Sequence, residues 1–218
     1  MKNDTTLIEK ALGLCAEAGV SFDRDSVLGL LETYVGLIRE WNAYASLVSV
    51  VDAETNLGNH CVDSLALAPC LRSFIEGTKG CYIDIGSGGG FPAVPLCILF
   101  PNLEAKLIER NTKKTVFLKK VVRRLSLENV SIMNESFDGG EDGEIRRLIT
   151  SRAIEKPEEV IRRLLEGLAG GDVFLCQTES IHEMDVEFVG GFSVDEIIDE
   201  FSVAGMRRNR LYQIELLS

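Results

Sequence analysis

The residues best suited to chemistry form a glycine-rich turn near the middle of the chain. An apolar segment at 81–85 is followed by Gly86-Ser87-Gly88-Gly89-Gly90-Phe91, and Pro92 occupies a favoured first position of a helix. Glycines let a backbone approach a ligand without a clashing Cβ atom. In an open α/β sheet such a turn lies beyond the carboxyl end of a strand, where ligands bind. The sequence therefore predicts a small-molecule pocket, with contacts from Asp84, Gly86, Gly88, Gly90 and Phe91.

The spacing of the glycines separates two classes of ligand. A dinucleotide site requires G-x-G-x-x-G, which seats the pyrophosphate at the helix N-terminus, but here Phe91 stands at the last position. S-adenosylmethionine has no phosphate, and its turn reads G-x-G-x-G, commonly after an acidic residue such as Asp84 that helps to hold the methionine end. We therefore predict S-adenosylmethionine as the ligand and keep an NAD-dependent dehydrogenase as a distant alternative.

A second acidic residue supports this interpretation. Glu109 ends the next predicted strand, about 20 residues after the turn, where a carboxylate can accept hydrogen bonds from both ribose hydroxyls. The order of these elements is more specific for such a site than a glycine run alone: a strand, an acid, a glycine turn, a helix, a second strand and a second acid. The competing interpretation is a structural glycine turn in an unrelated α/β protein.

These residues require a framework of alternating strands and helices, and the chain after residue 80 predicts one. Strands are predicted at 81–85, 105–109, 129–133, 147–151, 172–176, 194–201 and 211–216, and helices at 92–100, 112–125 and 157–168. Alternation at this spacing indicates parallel βαβ units with helices on both faces, and the last two strands are expected to form an antiparallel edge pair. The predicted fold is a Rossmann-like, doubly wound α/β domain with a mostly parallel seven-stranded sheet.

The first part of the chain, 1–77, is predicted to be a helical segment that precedes a ligand-binding core at 78–218. Apolar residues at i, i+3, i+4 and i+7 begin at Ile8, and a second helix carries an apolar face that ends at Trp41. A third helix is expected over 53–74, bent or ended by Pro69. The Gly-Thr-Lys-Gly segment that follows marks the boundary.

Composition restricts the class of protein further. The 218 residues are 45% hydrophobic, enough for a globular core, and no apolar run approaches the roughly 20 residues that span a bilayer. Together with a polar N-terminus that lacks a signal segment, this predicts a soluble cytoplasmic protein. Six cysteines without a C-x-x-C pair are expected to be reduced and mostly buried, and with two histidines no metal site is expected.

The distribution of charge is uneven. A net charge of −11 argues against nucleic-acid binding by the protein as a whole, although a local basic face can act within an acidic protein. The run from Lys113 to Arg124 contains basic residues and no acidic ones, and helical spacing places Lys113, Lys120 and Arg124 near one face. Its buried side is predicted to comprise Val116, Phe117, Val121 and Leu125. The RNA-binding candidates are Lys113, Lys114, Lys120 and Arg124, with a second group at Arg207, Arg208 and Arg210; the alternative is a solvated surface.

A wider set of motifs resembles one known family. Between Tyr34 and Glu179 the chain resembles the RsmG family, also called glucose-inhibited division protein B, which methylates guanine N7 in small-subunit ribosomal RNA. The motifs are Trp41-Asn42, His60-x-x-Asp63-Ser64-Leu65, the glycine turn with Phe91-Pro92, Glu109, Lys113-Lys114, Phe117-Leu118, Leu127-Glu128-Asn129-Val130 and Thr150-Ser151-Arg152-Ala153. The Gly-Phe-Pro and Ser-Arg-Ala segments are the most distinctive.

The resemblance implies a class I methyltransferase that uses S-adenosylmethionine and acts on 16S rRNA or the small ribosomal subunit. It implies cofactor contacts at Gly86, Phe91, Phe137, Asp138 and Arg152, with Glu109 in the position of the acid that binds the ribose. The chain departs from the family after the fifth strand, where Gln177 replaces a basic residue and Glu179 follows. Two alternatives therefore stay open: a methyltransferase of the same fold with another substrate, and a non-catalytic, ribosome-associated cofactor-binding protein.

The expected reaction needs no general base, because guanine N7 has a free lone pair and no proton to lose. We therefore assign no catalytic base and expect catalysis to come from holding the two reactants in line. Arg152, His60 and Asp63 are candidate orienting groups, and the last two lie about one helical turn apart. The competing interpretations are a surface arginine and a core histidine beside a carboxylate. The protein is expected to act as a monomer without a metal.

Overall fold

The secondary structure alternates helices and strands in the expected order. A computed structural model describes residues 2–77, 80–137, 145–151, 164–178, 192–206 and 210–216. The helices are α1 (Lys2–Glu17), α2 (Arg24–Ala45), α3 (Val50–Thr55), α4 (Leu57–Leu65), α5 (Ala68–Gly77), α6 (Ala93–Leu99), α7 (Thr112–Arg124) and α8 (Glu200–Val203). The strands are β1 (Gly80–Ile85), β2 (Ala105–Ile108), β3 (Val130–Met133), β4 (Arg146–Ser151), β5 (Val173–Thr178), β6 (Phe192–Ile197) and β7 (Arg210–Leu216).

A seven-stranded sheet with strand order β3-β2-β1-β4-β5-β7-β6 forms the centre of the fold. The first five strands in this order run parallel, and β7 lies antiparallel to both β5 and β6. The prediction of a mostly parallel, doubly wound sheet with an antiparallel edge pair is confirmed. Because β1 pairs with β2 on one side and β4 on the other, the strand order reverses at β1. In open α/β sheets, ligands bind at such a switch point, in the crevice beyond the carboxyl ends of the strands.

The register brings the ends of three strands together at this crevice. Ile85 of β1 pairs with Ile108 of β2 and with Ser151 of β4. The backbone N–H of Gly86 then donates to the carbonyl oxygen of Ile108 at 2.9 Å. The glycine turn and Glu109 therefore leave the sheet at the same edge, as the sequence predicted.

The long helix expected over 53–74 is wrong, because the structure divides it into α3, α4 and α5. The first break falls at Asn56, which ends α3 and precedes α4. Pro69 lies in the first turn of α5, where its missing N–H removes no helical hydrogen bond. The proline therefore accompanies the start of a helix rather than a bend within one.

Two further local predictions are wrong. The strand expected over 194–201 ends at Ile197, because Asp199 caps α8 by accepting a hydrogen bond from the backbone N–H of Ser202 at 3.1 Å. Val116, expected on the buried side of α7, is 48% exposed. The other three residues predicted on that side, Phe117, Val121 and Leu125, are buried.

The helices before β1 pack on the same face of the sheet as α6 and α7. A single hydrophobic cluster contains Leu31 and Leu65 from those helices together with Leu96 and Phe117. The alternate residues of the strands, Ile83 among them, belong to a second cluster on the other face. The boundary at residue 77 thus divides a continuous core, and the division into two folding units stays a prediction.

Candidate active site

The glycine turn after β1 adopts a backbone conformation that other residues rarely take. Gly86, Gly88 and Gly90 have φ angles of 69°, 54° and 95°, in the left-handed region. A Cβ atom added at Gly86 would meet no atom of the described residues within 4 Å. A Cβ atom added at Gly90 would come within 2.6 Å of Val94 and 3.0 Å of the Tyr34 hydroxyl. The turn therefore has an open side at Gly86 and a packed side at Gly90.

Tyr34 of α2 holds the packed side of the turn. Its hydroxyl donates to the carbonyl oxygen of Gly89 at 2.7 Å, and its ring centroid lies 5.2 Å from that of Phe91. Tyr34 is fully buried. The sequence placed it on an apolar helix face but gave it no role at the turn. The available signal was its hydroxyl, because a buried tyrosine normally requires a hydrogen-bond partner.

Glu109 connects the turn to the start of α7. One of its carboxylate oxygens accepts from the backbone N–H of Gly88 at 2.8 Å, and the other accepts from the N–H of Asn111 at 2.7 Å. Asn111 in turn caps α7, its side chain accepting from the backbone of Lys113 at 3.0 Å. The carboxylate predicted at this edge is thus present, buried and fixed on both oxygens. Its contact with a ribose stays a prediction.

Asp84 ends a buried chain of hydrogen bonds that crosses from β1 to β4. Thr150, which pairs with Asp84 in the sheet, places its hydroxyl oxygen 2.6 Å from the Asp84 carboxylate and 2.7 Å from the Tyr82 hydroxyl. Because a carboxylate only accepts, Thr150 donates to Asp84 and Tyr82 donates to Thr150. The sequence singled out Asp84 but missed both supporting hydroxyls, since the pairing of β1 with β4 joins residues far apart in the chain.

The protonation of Tyr82 is consistent with this direction of donation. Complete burial raises the pKa of the Tyr82 phenol well above its usual value, and the neighbouring Asp84 carboxylate raises it further. Tyr82 therefore stays a neutral donor at physiological pH. The chain of hydroxyls holds the Asp84 carboxylate in one orientation at the end of β1.

His60 and Asp63 of α4 occupy different environments. The His60 ring centroid lies 5.2 Å from that of Phe91, with the planes at 30°, and its Nε2 atom is 3.7 Å from a carboxylate oxygen of Asp52. The Ser49 hydroxyl, with Asn56 and His60, lowers the pKa of Asp52 and keeps it ionised. Asp63 is buried. The structure therefore brings His60 to the glycine turn, as a candidate orienting group requires.

Gln177, the residue that departs from the family pattern, links β5 to α4. Its side-chain amide donates to the backbone carbonyl of Asp63 at 2.7 Å. This contact fixes α4 from the sheet side, one helical turn from His60. The structure thus has a neutral side chain with a structural hydrogen bond at the position where the resemblance implied a basic residue. Glu179 lies outside the described residues.

The predicted basic residues fall into two separate places. Lys113, Lys120 and Arg124 are exposed along α7, and Lys114 is partly buried. Arg210 begins β7 and pairs with Thr178, so it lies at the carboxyl end of β5. It is also 3.3 Å from a Glu196 carboxylate oxygen. Since α7 connects β2 and β3 at the other side of the sheet, the structure does not bring Arg210 to the basic residues of α7.

Several predicted residues cannot be placed. Asp138, Arg152, Arg207 and Arg208 lie outside the described residues, so their roles stay predictions. Phe137 is described and packs, partly buried, against the second hydrophobic cluster. Within the described ranges, no helix has the length and apolarity to cross a membrane, and no three acidic, cysteine or histidine side chains are grouped as metal ligands would be.

Comparison with solved structures identifies the class of fold. Human methyltransferase 10 domain containing protein matches over 91% of this chain and 99% of its own, with a TM-score of 0.51 and 14% identity. A mutant of MtNAS in complex with S-adenosylmethionine matches over 97% of this chain and 88% of its own, with a TM-score of 0.59 and 15% identity. With the strand order and the glycine turn, these likenesses define the class I methyltransferase fold.

Sequence comparison identifies the family within that class. The model of the GidB family, described as rRNA small subunit methyltransferase G, matches residues 28–207. Ribosomal RNA small subunit methyltransferase G of Nitrosomonas eutropha is 32% identical over 93% of this chain and 94% of its own. The protein of the same name from Acetivibrio thermocellus is 28% identical over 93% of this chain and 84% of its own. The chain belongs to the GidB family, and the resemblance seen in its motifs is confirmed.

Proposed function

We propose that this protein transfers the methyl group of S-adenosylmethionine to N7 of a guanine in 16S ribosomal RNA. The observation that carries the proposal is the glycine turn at the carboxyl end of β1, open at Gly86 and fixed by Glu109 and Tyr34. Membership of the GidB family and the names of its relatives support ribosomal RNA as the substrate. The partner is then the small ribosomal subunit or its RNA, with the protein acting as a cytoplasmic monomer.

The residues of the crevice fit S-adenosylmethionine. The space beside Gly86 admits a ligand where a side chain would otherwise stand. Each Glu109 oxygen accepts one hydrogen bond from the described residues and has a second lone pair for a ribose hydroxyl. When bound, the cofactor supplies a methyl group on a positively charged sulfur. We assign its binding to Asp84, Gly86, Gly88, Gly90, Phe91 and Glu109, and, by resemblance to the family, to Phe137, Asp138 and Arg152.

The reaction asks little acid–base chemistry of the protein. The N7 lone pair forms the new bond to the methyl carbon while the carbon–sulfur bond breaks, and its electron pair returns to sulfur. The positive charge moves from sulfur to the guanine ring, and no proton is transferred. The protein therefore accelerates the step by alignment, which supplies about 7–11 kcal/mol in well-oriented reactions. The hydroxyls that fix Asp84 and the contacts that fix Glu109 serve this alignment.

Orientation of the guanine falls to groups beside the turn. His60 packs near Phe91 and has an ionised Asp52 3.7 Å from its Nε2 atom, so its ring lies between an aromatic side chain and a carboxylate. A flipped base is commonly recognised by stacking and by hydrogen bonds to its edges. We infer that His60 orients the substrate base, that Arg152 assists from the end of β4, and that Asp63 acts through α4.

A methyl-transfer assay tests the proposal. The full chain is incubated with radiolabelled S-adenosylmethionine and with 30S subunits purified from a strain that lacks the modification. Label is expected in 16S rRNA and, after nuclease digestion and mass spectrometry, in N7-methylguanine. His60→Ala should lower kcat more than it lowers cofactor affinity, because the proposal places His60 against the base.

The same assay separates the alternatives. Label in an acceptor other than 16S rRNA supports a methyltransferase with another substrate. Tight binding of S-adenosylmethionine without transfer to any RNA supports a non-catalytic, ribosome-associated protein. Absence of cofactor binding in a calorimetric titration contradicts both and removes the assignment of the glycine turn.

A further inference from the structure

An aromatic and basic surface lies where α2 meets α7. We name it the α2–α7 surface and define it by Trp41, Tyr44, Lys113, Val116 and Lys120. The Nζ atom of Lys113 lies 5.1 Å from the Tyr44 ring centroid, and that of Lys120 lies 4.6 Å from the Trp41 ring. The two rings meet edge to face, with centroids 5.8 Å apart and planes at 90°. The two lysines therefore lie against aromatic faces, at distances typical of cation–π contacts.

Tyr44 presents a large ring to solvent, whereas Trp41 anchors it to the core. Tyr44 is 60% exposed, and Val116, between the two lysines on α7, is 48% exposed. Trp41 is partly buried, and its ring centroid is 6.2 Å from that of the fully buried Phe117. Exposed apolar area that is rimmed by polar groups and fixed from beneath is typical of an interaction site.

The charge of this surface is opposite to that of the molecule. The protein carries a net charge of −11, yet α7 contains basic residues and no acidic residue along its whole length. Glu40 offsets part of this charge, because its carboxylate lies 3.3 Å from the Lys120 Nζ atom. A polyanion is therefore repelled by the protein as a whole and attracted locally to α7.

The surface is continuous with the active-site crevice through both of its helices. In α2, Tyr34 binds the carbonyl of Gly89 in the glycine turn. At the start of α7, Asn111 is bound through its backbone to Glu109 and caps the helix at Lys113. A strand of nucleic acid with one nucleotide in the crevice can thus extend along these two helices to the surface.

We propose that the α2–α7 surface binds a single-stranded segment of the RNA next to the target guanine. An unpaired base stacks on the exposed ring of Tyr44, while Lys113 and Lys120 contact the flanking phosphates. Single-stranded RNA fits this surface because its base faces are accessible for stacking, which a duplex hides. The inference rests on the proposed function for the nature of the substrate, but the contacts that carry it are independent of the cofactor pocket.

Binding of a labelled RNA oligonucleotide tests the surface. The probe is a fluorescein-labelled RNA single strand of about 12 nucleotides of mixed sequence with one central guanine, titrated with the full chain. Tyr44→Leu should weaken binding roughly tenfold, whereas Tyr44→Phe, which keeps the ring, should bind as wild type does. Neither variant should change the affinity for S-adenosylmethionine, because Tyr44 is exposed and does not contact the glycine turn.

Salt dependence distinguishes stacking from phosphate contact. Lys113→Gln should reduce the slope of log affinity against log salt concentration by about 0.7, the value for one phosphate contact on a single strand. Tyr44→Leu should leave the slope unchanged. Lys10→Gln, an equal change of charge at an exposed position of α1, is the matched control and should leave both affinity and slope unchanged.

The outcomes separate this inference from the proposed function. The proposed RNA binding by this surface is contradicted if Tyr44→Leu and Lys113→Gln both keep the RNA affinity and the salt slope of the wild type. It is also contradicted if Lys10→Gln loses as much RNA affinity as they do. If the wild-type protein methylates 16S rRNA and Tyr44→Leu retains wild-type kcat/KM and RNA affinity, the RNA-binding role of the surface is contradicted and the proposed function is not. If RNA binding depends on Tyr44 but no methyl group is transferred, the proposed function is contradicted and the RNA-binding role of the surface is supported.

Discussion

The hydroxyl of Tyr34 donates to the backbone carbonyl of Gly89 at 2.7 Å, across 55 positions of sequence. This bond joins the helices before the sheet to the turn that is proposed to bind the cofactor. The ring of the same tyrosine packs against Phe91, the residue directly after the last glycine. The conformation of the turn is therefore set from two directions, by Glu109 on the sheet side and by α2 on the helical side.

Removal of the Tyr34 hydroxyl should weaken both the fold and the pocket. Tyr34→Phe leaves the Gly89 carbonyl buried without this donor, so the free energy of unfolding should fall by about 1–3 kcal/mol. Affinity for S-adenosylmethionine should fall as well, because the turn loses one restraint. Urea denaturation and calorimetric titration measure the two effects. Thr33→Ala, which removes a hydroxyl that donates to Gly29 at 2.8 Å within the same helix, should leave cofactor affinity unchanged.

A side chain at Gly86 should block the cofactor pocket. Gly86→Ala places a Cβ atom in the open space of the turn and strains a backbone with φ of 69° by roughly 1–2 kcal/mol. Gly205 has the same open surroundings and a φ of 64°, but follows α8. Gly205→Ala should therefore show the same loss of stability with wild-type cofactor affinity, whereas Gly86→Ala should also lose at least about tenfold in affinity, or 1.4 kcal/mol. Equal affinity of the two variants for S-adenosylmethionine would contradict the assignment of the cofactor pocket to Gly86.

The hydroxyl of Thr150 should support cofactor binding through Asp84. Thr150→Val keeps the shape but removes the donor to the Asp84 carboxylate and the acceptor for Tyr82. The unfolding free energy should fall by about 1–3 kcal/mol, and S-adenosylmethionine should bind more weakly. Thr150→Ser retains the hydroxyl and should restore affinity while still losing a methyl group from the core. If Thr150→Ser binds as weakly as Thr150→Val, packing rather than the hydrogen bond is responsible.

Buried thiols should make the protein sensitive to alkaline pH. Burial raises the pKa of Cys15 and of Cys176 to about 12 from 9.0, and the charge of Asp199 contributes at Cys15. Below pH 9 both thiols are protonated in the folded and unfolded states, so they do not affect stability. Between about pH 9 and 12 the unfolded chain ionises first, and its free energy falls relative to the folded state by about 1.4 kcal/mol per thiol at pH 10.

Urea midpoints at pH 8 and pH 10 measure this effect. The drop between the two should be smaller in Cys176→Ala than in the wild type, since one ionisable thiol is then absent from the unfolded chain. At pH 8 the native protein should react with a thiol reagent mainly at Cys70 and Cys81, which are partly exposed, and the buried cysteines should react only after denaturation. An equal pH dependence in Cys176→Ala would show that its burial has no part in alkaline destabilisation.

The sequence predicted the features that depend on neighbours in the chain. The alternation of apolar segments predicted the strands and their parallel direction, because strand–helix–strand connections of this length allow few other arrangements. The position of Glu109 at the sheet edge followed from the same rule. The prediction of Gly86 as a ligand-facing residue agrees with its open surroundings.

Features that depend on contacts between distant segments were missed. The bonds from Tyr34 to Gly89 and from Thr150 to Asp84 join residues 55 and 66 positions apart. Thr150 reaches the Asp84 carboxylate through the pairing of β1 with β4, which spacing in the sequence does not specify. Likewise, Val116 fits the apolar spacing of α7 but is 48% exposed, because spacing along one helix does not show how far a neighbouring element covers it.

The hydrophobic cluster shared by α1–α5, α6 and α7 has a consequence for the newborn chain. The first five helices emerge from the ribosome before the segments that cover their apolar sides have been synthesised. We expect them to stay loosely collapsed until the last segments of the cluster, which contain Phe201 of α8 and Leu211 of β7, have emerged and can dock. Binding of the methyl donor is then expected in a single late step, after all segments of the shared hydrophobic cluster have been synthesised.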